Sequence, residues 1–280
     1  MSIWVIGAGG LLGSSLKKHA TLATTKNEAD IGDLECLWEV AKCHPKVTHM
    51  INASAFSQVD LAEEKREEAY RVNTLGPQYL AEVAKGIGAK LIHISTDYVF
   101  GGNLHRPLSE EDEVAPCNYY GLSKLEGEKG LLRILPEATI LRTSWLFGQG
   151  GKSFVGRMME QFEKEEELFL TDDQWGRATF VEDLVEAILK MLDQPGLYHF
   201  AGQGVTTRYQ FACAMKEEME ALGMPMKIKK LNAVPGSHFV SPAKRPRYSA
   251  LATEKIEGVI GPIRPWREGL RDFLKRRCHA

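Results

Sequence analysis

The chain has 280 residues, 44% of them hydrophobic and 26% charged, with 35 lysines and arginines against 37 aspartates and glutamates. That length suits one large α/β domain or a domain with a smaller lobe, and a formal net charge of −2 excludes a general attraction to nucleic acid or anionic lipid. Five scattered cysteines without a C-x-x-C pair, eight histidines without ligand spacing and no apolar run near the ~20 residues of a membrane span lead us to expect a cytoplasmic protein with reduced thiols and no metal site.

The first segment, IWVIG (3–7), is a short β-branched run ending in glycine and reads as a buried strand; MSIWVIGAGG lacks a basic leader and does not read as a signal peptide. A helix follows over roughly 11–20, then a weaker strand at 22–26 and a helix over 34–43 that Asp33 can cap. THMINAS (48–54) is a third strand, a helical pair runs over roughly 60–86 to a stop at Gly86 and Gly88, and KLIHIST (90–96) is a fourth strand. After a loop with Pro107 and Pro116 come a helix at about 118–133 and a strand within 138–148. Strand and helix alternate, which predicts a doubly wound parallel sheet of Rossmann type. Beyond residue 150 the helices (153–165, 180–192, 207–222) are separated by short strands (168–172, 197–202, 227–234) and by Pro-, Gly- and Arg-rich loops, notably 234–249. We expect a dinucleotide-binding domain over 1–150 and a smaller C-terminal substrate-binding lobe over 151–280, with the strand and helix near 168–195 able to return to the first domain.

The turn VIGAGGLLGSSL places Gly7, Gly9, Gly10 and Gly13 between strand and helix. Glycine allows the tight turn and brings backbone amides close to a pyrophosphate, and the helix start supplies unpaired N–H groups. No Gly-Lys-Ser/Thr ending follows, so a nucleoside triphosphate site is not indicated. After the second strand stands Lys26, where an NAD site would carry an acid; it either pairs with the 2′-phosphate of NADPH or faces solvent at the strand end, and NADH stays open.

In NYYGLSKLEGE (118–128) Tyr120 and Lys124 are four apart on one helical face, whereas Tyr119 lies off it. A nearby ammonium and an oxidised nicotinamide would lower a phenol's pKa and fit it for proton transfer to a carbonyl oxygen. ISTDYVF ends the fourth strand with Ser95 and Thr96, where doubly wound folds bind ligands, and a hydroxyl there can share that oxygen. Asp97 either contacts a sugar hydroxyl or caps the strand end. Trp145 offers an indole for stacking, Phe147 belongs to the core, and Arg177 and Arg245 suit a diphosphate or a surface ion pair.

The order GAGGLLG, NASAFSQVDLAE (52–63), VNTLGP (72–77), ISTDYVF, YGLSKLEGE, LRTSWLFG (141–148), DQWGRATFVEDL (173–184) and KRPRYSAL (244–251) resembles the extended short-chain dehydrogenase/reductases, and among them the dTDP-4-dehydrorhamnose reductase family, over nearly the whole chain. The resemblance implies Thr96, Tyr120 and Lys124 as the catalytic triad. It implies a cofactor, NADPH or NADH, lined by Gly7, Gly10, Leu11, Leu12, Asp30, Ile31, Ala53, Ser54, Ala55 and Phe56 together with Tyr120 and Lys124, and Asn73 as support for the catalytic helix. Asp97, Trp145 and Arg245 would meet a nucleotide-sugar substrate. The implied reaction is reduction of a 4-keto deoxysugar, by a monomer or a homodimer. An epimerase or dehydratase of the same superfamily, or a non-catalytic subunit like that of methionine adenosyltransferase, is the alternative. Two departures, Gly101 where the family carries an acid and the basic RPRY, bear on the sugar rather than on the reaction type.

Overall fold

The computed structural model describes residues 1–150 and 153–278, so the expected boundary at 150/151 lies at the edge of the described residues. The chain order is β1 (Ile3–Ile6), α1 (Leu11–Leu16), β2 (Leu22–Thr24), α2 (Leu34–Cys43), β3 (His49–Asn52), α3 (Val59–Glu64), α4 (Arg66–Tyr70), α5 (Gly76–Ile87), β4 (Lys90–Thr96), α6 (Tyr119–Ile134), β5 (Thr139–Thr143) and β6 (Leu146–Phe147). It continues with α7 (Phe154–Lys164), β7 (Glu167–Thr171), β8 (Trp175–Gly176), β9 (Thr179–Phe180), α8 (Val181–Lys190), β10 (Gly196–Phe200), β11 (Thr206–Thr207), α9 (Arg208–Ala221), β12 (Lys230–Val234), α10 (Glu254–Ile260) and α11 (Trp266–Cys278).

Six strands form one parallel sheet in the order β10-β5-β4-β3-β1-β2. Both faces are covered, which is why its strands read as apolar runs. In β1 the period of two is plain: Ile3 and Val5 enter the core under α1 and α8, and Trp4 and Ile6 the core under α2 and α5. The strand order reverses between β1 and β3, and a crevice opens there at the carboxyl ends.

The expected elements differ from the observed ones in three places. The sixth sheet strand is β10, and α8 packs on α1's face of the sheet, so part of the last third returns to the first unit; β7 does not, pairing instead with β12 in the second lobe. The helical pair over 60–86 is α3, α4 and α5, with a π turn at Arg71–Leu75 between the last two. The strand expected within 138–148 breaks into β5 and β6 around Ser144 and Trp145, and Trp145 holds φ at 46°, a conformation few side chains adopt.

The second lobe has its own core of Phe147, Val155, Phe162, Phe211, Met215 and Phe273 with their neighbours. A strap through 241–253 runs back over the first unit. Asn118 Nδ2 donates to Lys244 O at 2.8 Å, Arg245 pairs with Asp60, and Leu108 and Leu251 form a β-bridge. Inside the first unit, Arg142 on β5 grips Glu128 on α6 side-on, with Nε and Nη2 donating at 3.0 and 2.7 Å to the two carboxylate oxygens. Both side chains are 4% exposed. Arg142→Met strands a buried carboxylate and is expected to cost about 3–5 kcal/mol, and the added Glu128→Met change should recover most of it. Urea unfolding of the two variants measures both.

Candidate active site

Gly7, at φ 87°, turns the chain out of β1, and a Cβ there would stand 2.6 Å from the Ser54 nitrogen. Only glycine lets the turn lie this close to the strand end of β3. Beside it is a crevice with a cavity volume of about 590 Å³, lined by Gly7, Gly10, Leu11, Leu12, Asp30, Ile31 and the run Ala53–Phe56, and farther in by Thr96, Tyr120 and Lys124. The structure thus brings the residues expected at a cofactor and at the chemistry to one site. The glycine cradle and the length of the lining fit a dinucleotide. At one end Asp30 pairs with Arg71 at 3.1 Å, and Lys26 lines the same end, 3.8 Å from Glu68. Among the described residues no cluster of metal-ligating side chains occurs, and no helix is long and apolar enough to cross a membrane.

Helix α6 starts at Asn118, whose Oδ1 accepts from Gly121 N at 2.8 Å. A Cβ on Gly121 would come within 2.1 Å of Tyr98 O, so the helix can dock this closely on the turn after Thr96 only because that position is bare. Asn73 then stitches three pieces together. Its Oδ1 accepts from Phe56 N at 2.9 Å, and its Nδ2 donates to Phe56 O at 3.1 Å and to Ser123 Oγ at 3.0 Å. The π turn displays Asn73 inward, and such turns recur at functional sites.

Lys124 is 1% exposed; its Nζ donates to Ile94 O at 2.7 Å and lies 3.2 Å from His93 Nε2. Burial lowers its pKa to about 8, against a smaller opposing pull from Glu128. His93 was not singled out in the sequence. It sits among apolar strand residues, and its partners Asn52 and Lys124 lie 41 and 31 positions away, which no local pattern displays.

Tyr120 departs from expectation. Its phenol is raised rather than lowered, mainly by burial, with the Thr96 hydroxyl opposing and Asp97 and Tyr98 adding to the rise. The ammonium meant to acidify it is turned to Ile94 O and His93, so desolvation governs. A phenol held neutral is nevertheless the form that donates a proton. Thr96 Oγ1 accepts from Tyr98 N at 3.2 Å and donates to Asp97 Oδ1 at 3.2 Å. Asp97 is buried, its other oxygen accepts from Ser249 Oγ of the strap at 2.6 Å, and burial raises its pKa to about 6.

The outer residues are redistributed. Trp145 lines the crevice, but the ring face expected to be open carries the Arg208 guanidinium, whose carbon is 3.6 Å from the ring centroid. Arg245 is bound to Asp60 by both terminal nitrogens, each at 2.6 Å, so its fork is taken up within the chain. Arg177 is buried with Nη1 3.4 Å from Thr253 Oγ1 of the strap, and it does not line the crevice. Phe147 is fully buried in the second core.

A parallel sheet whose switch-point crevice holds a glycine turn, a strand-end threonine and a tyrosine–lysine helix defines a Rossmann-fold dehydrogenase/reductase of the extended short-chain type. The family model described as the RmlD substrate binding domain matches residues 1–278. The chain is 36% identical to the spore coat polysaccharide biosynthesis protein SpsK of Bacillus subtilis, over 99% of this chain and 98% of that one. It is 38% identical to the dTDP-4-dehydrorhamnose reductase of Mycobacterium tuberculosis, over 96% and 91% of the two chains. The crystal structure of a dTDP-4-dehydrorhamnose reductase from Bacillus anthracis in complex with NADP superposes with a TM-score of 0.92 at 31% identity, covering 99% of this chain and all of that one. The chain belongs to the dTDP-4-dehydrorhamnose reductase family.

The folded chain holds the Lys124 proton less tightly than the unfolded chain, about 8 against an ordinary 10.5. Its burial therefore costs stability below about pH 8, and that cost fades as pH rises towards 10.5. Lys124→Met is expected to raise the melting temperature at pH 7 and to abolish this group's gain in stability across that window, as thermal scans from pH 7 to 10.5 would read.

Proposed function

We propose that this chain is an oxidoreductase that uses NADPH to reduce the 4-keto group of dTDP-4-dehydrorhamnose. The observation that carries the reading is the convergence of Thr96, Tyr120 and Lys124 on the crevice beside the glycine turn. The names of the relatives and of the NADP-bound neighbour support the substrate and the cofactor. Lys26, standing where an acid would favour NADH, supports NADPH over NADH.

The bound cofactor supplies the hydride that reaches the sugar carbon. The chain's own part is electrostatic. Tyr120 stays protonated at neutral pH and gives its phenolic proton to the oxygen that becomes the new hydroxyl, and the Thr96 hydroxyl holds that oxygen in line by turning its one hydrogen from Asp97 to it. Lys124 keeps its proton below about pH 8, and with its Nζ turned to Ile94 O and His93 it acts on the resulting phenolate as a nearby positive field rather than as a bonded partner. Asp97, charged above about pH 6, orients the Thr96 hydroxyl and a sugar hydroxyl. All five cysteines are free, in keeping with a cytoplasmic setting.

NADPH oxidation followed at the nicotinamide absorbance with dTDP-4-dehydrorhamnose tests the reading, which fails if the sugar is not turned over. Tyr120→Phe should lower kcat by about 10²–10⁴-fold with cofactor affinity kept. Lys26→Glu should weaken NADPH binding at least tenfold more than NADH binding, as read by quenching of protein fluorescence.

A further inference from the structure

Beyond the catalytic crevice lies a second, outer chamber of about 990 Å³, in which Arg157, Arg208 and Arg245 supply cations and Asp60 supplies the acid. Asp60 is engaged by Arg245 through both of its oxygens. That leaves the chamber cationic, and the three arginines are not equivalent. Arg157 is exposed on α7, and Arg245 has its fork occupied. Arg208, the first residue of α9, lines both the outer chamber and the catalytic crevice and so stands at their junction.

The guanidinium of Arg208 is held between two rings. Its carbon lies 3.6 Å from the Trp145 ring centroid and 4.1 Å from that of Phe154, and the two rings stand at 73° to each other. Trp145 keeps its left-handed backbone in this arrangement. Arg208 is half-buried, but its Nη1 is enclosed and has no hydrogen-bond partner among the described residues, whereas the more deeply buried guanidinium of Arg142 is paired with Glu128. Asp97 and Tyr98 are near enough to act on its charge, but neither accepts from that nitrogen. A charged side chain clamped between two rings, with one enclosed nitrogen left unpaired at the junction of two cavities, is positioned for an acceptor brought by a ligand.

With the reacting carbonyl at Tyr120, the part of a nucleotide sugar that passes from the crevice to the outer chamber is the bond between the sugar and its phosphate. We propose that Arg208 is a substrate-binding and specificity-determining residue whose Nη1 donates to an anionic oxygen of the sugar-linked phosphate of a nucleoside diphosphate-sugar. The proposal rests on the reductase reading above and deepens it. The planar fork favours a phosphate over a neutral sugar, and Arg245, already neutralised by Asp60, is left to shape the chamber wall.

Calorimetry of the NADPH-loaded protein with dTDP, dTMP and thymidine tests this, together with steady-state kinetics on dTDP-4-dehydrorhamnose. Arg208→Met should weaken dTDP at least tenfold and leave dTMP, thymidine and NADPH within about threefold, because only dTDP carries the second phosphate. KM for the keto sugar should rise in parallel with kcat little changed. Arg208→Lys, which keeps the charge and the stem but not the fork, should recover part of the dTDP affinity and guards against a folding defect in the methionine variant. Unchanged dTDP binding in both variants overturns the proposal while the wild-type turnover leaves the reductase reading standing. Equal losses for dTMP and dTDP, or a loss confined to the intact sugar nucleotide, overturn the assignment to the sugar-linked phosphate. A wild-type protein that neither binds dTDP nor oxidises NADPH with the sugar brings down the reductase reading and this proposal with it.

Discussion

A buried ammonium sets the terms for the rest of this site. Lys124 is shut away from water at the end of β4, and the chain satisfies it with one backbone carbonyl and the edge of an imidazole rather than with a carboxylate. A carboxylate salt bridge would have neutralised the charge where it lies. Glu128, one helical turn further along α6, is near enough to pull on the lysine and is itself engaged by Arg142. The cation is thus tolerated without being neutralised, at a cost in stability that functional sites commonly carry.

That constraint explains the crowding of α6. A lysine and a tyrosine four residues apart can meet a common ligand only if the helix lies almost on the strand ends, and the helix gets there by being bare where it touches other backbone. Gly121 lies under Tyr98 O, and Asn73 fixes the same helix to the loop after β3. The loop that lines the crevice and the helix that carries Tyr120 therefore share one hydrogen-bonded strut, and a shift in one moves the other.

The parts legible in the sequence were those with a local signature. The glycine turn, the apolar strands, the Asp33 cap and the four-residue spacing of Tyr120 and Lys124 are short-range patterns, and each element lies within a few residues of where the pattern put it. What stayed hidden depends on contacts made across the fold. The acidity of Tyr120 follows from burial and from where the lysine points, neither of which spacing reveals. The closing of Trp145's face by Arg208 joins residues 63 positions apart, and Arg245's partner Asp60 is 185 positions away. The break of one apolar run into β5 and β6 is likewise a tertiary effect, since Trp145 leaves the strand to reach the second lobe.

The strap through 241–253 has a consequence for how the two halves of the chain are held. It is fastened to the first unit at Asn118, Asp60 and Leu108, and through Ser249 to Asp97 beside Thr96. The two halves of the molecule are laced along that margin, so they cannot part there like the covers of a book. Any loosening of the lacing is felt at once by the carboxylate at its inner end, through the Ser249 hydrogen bond.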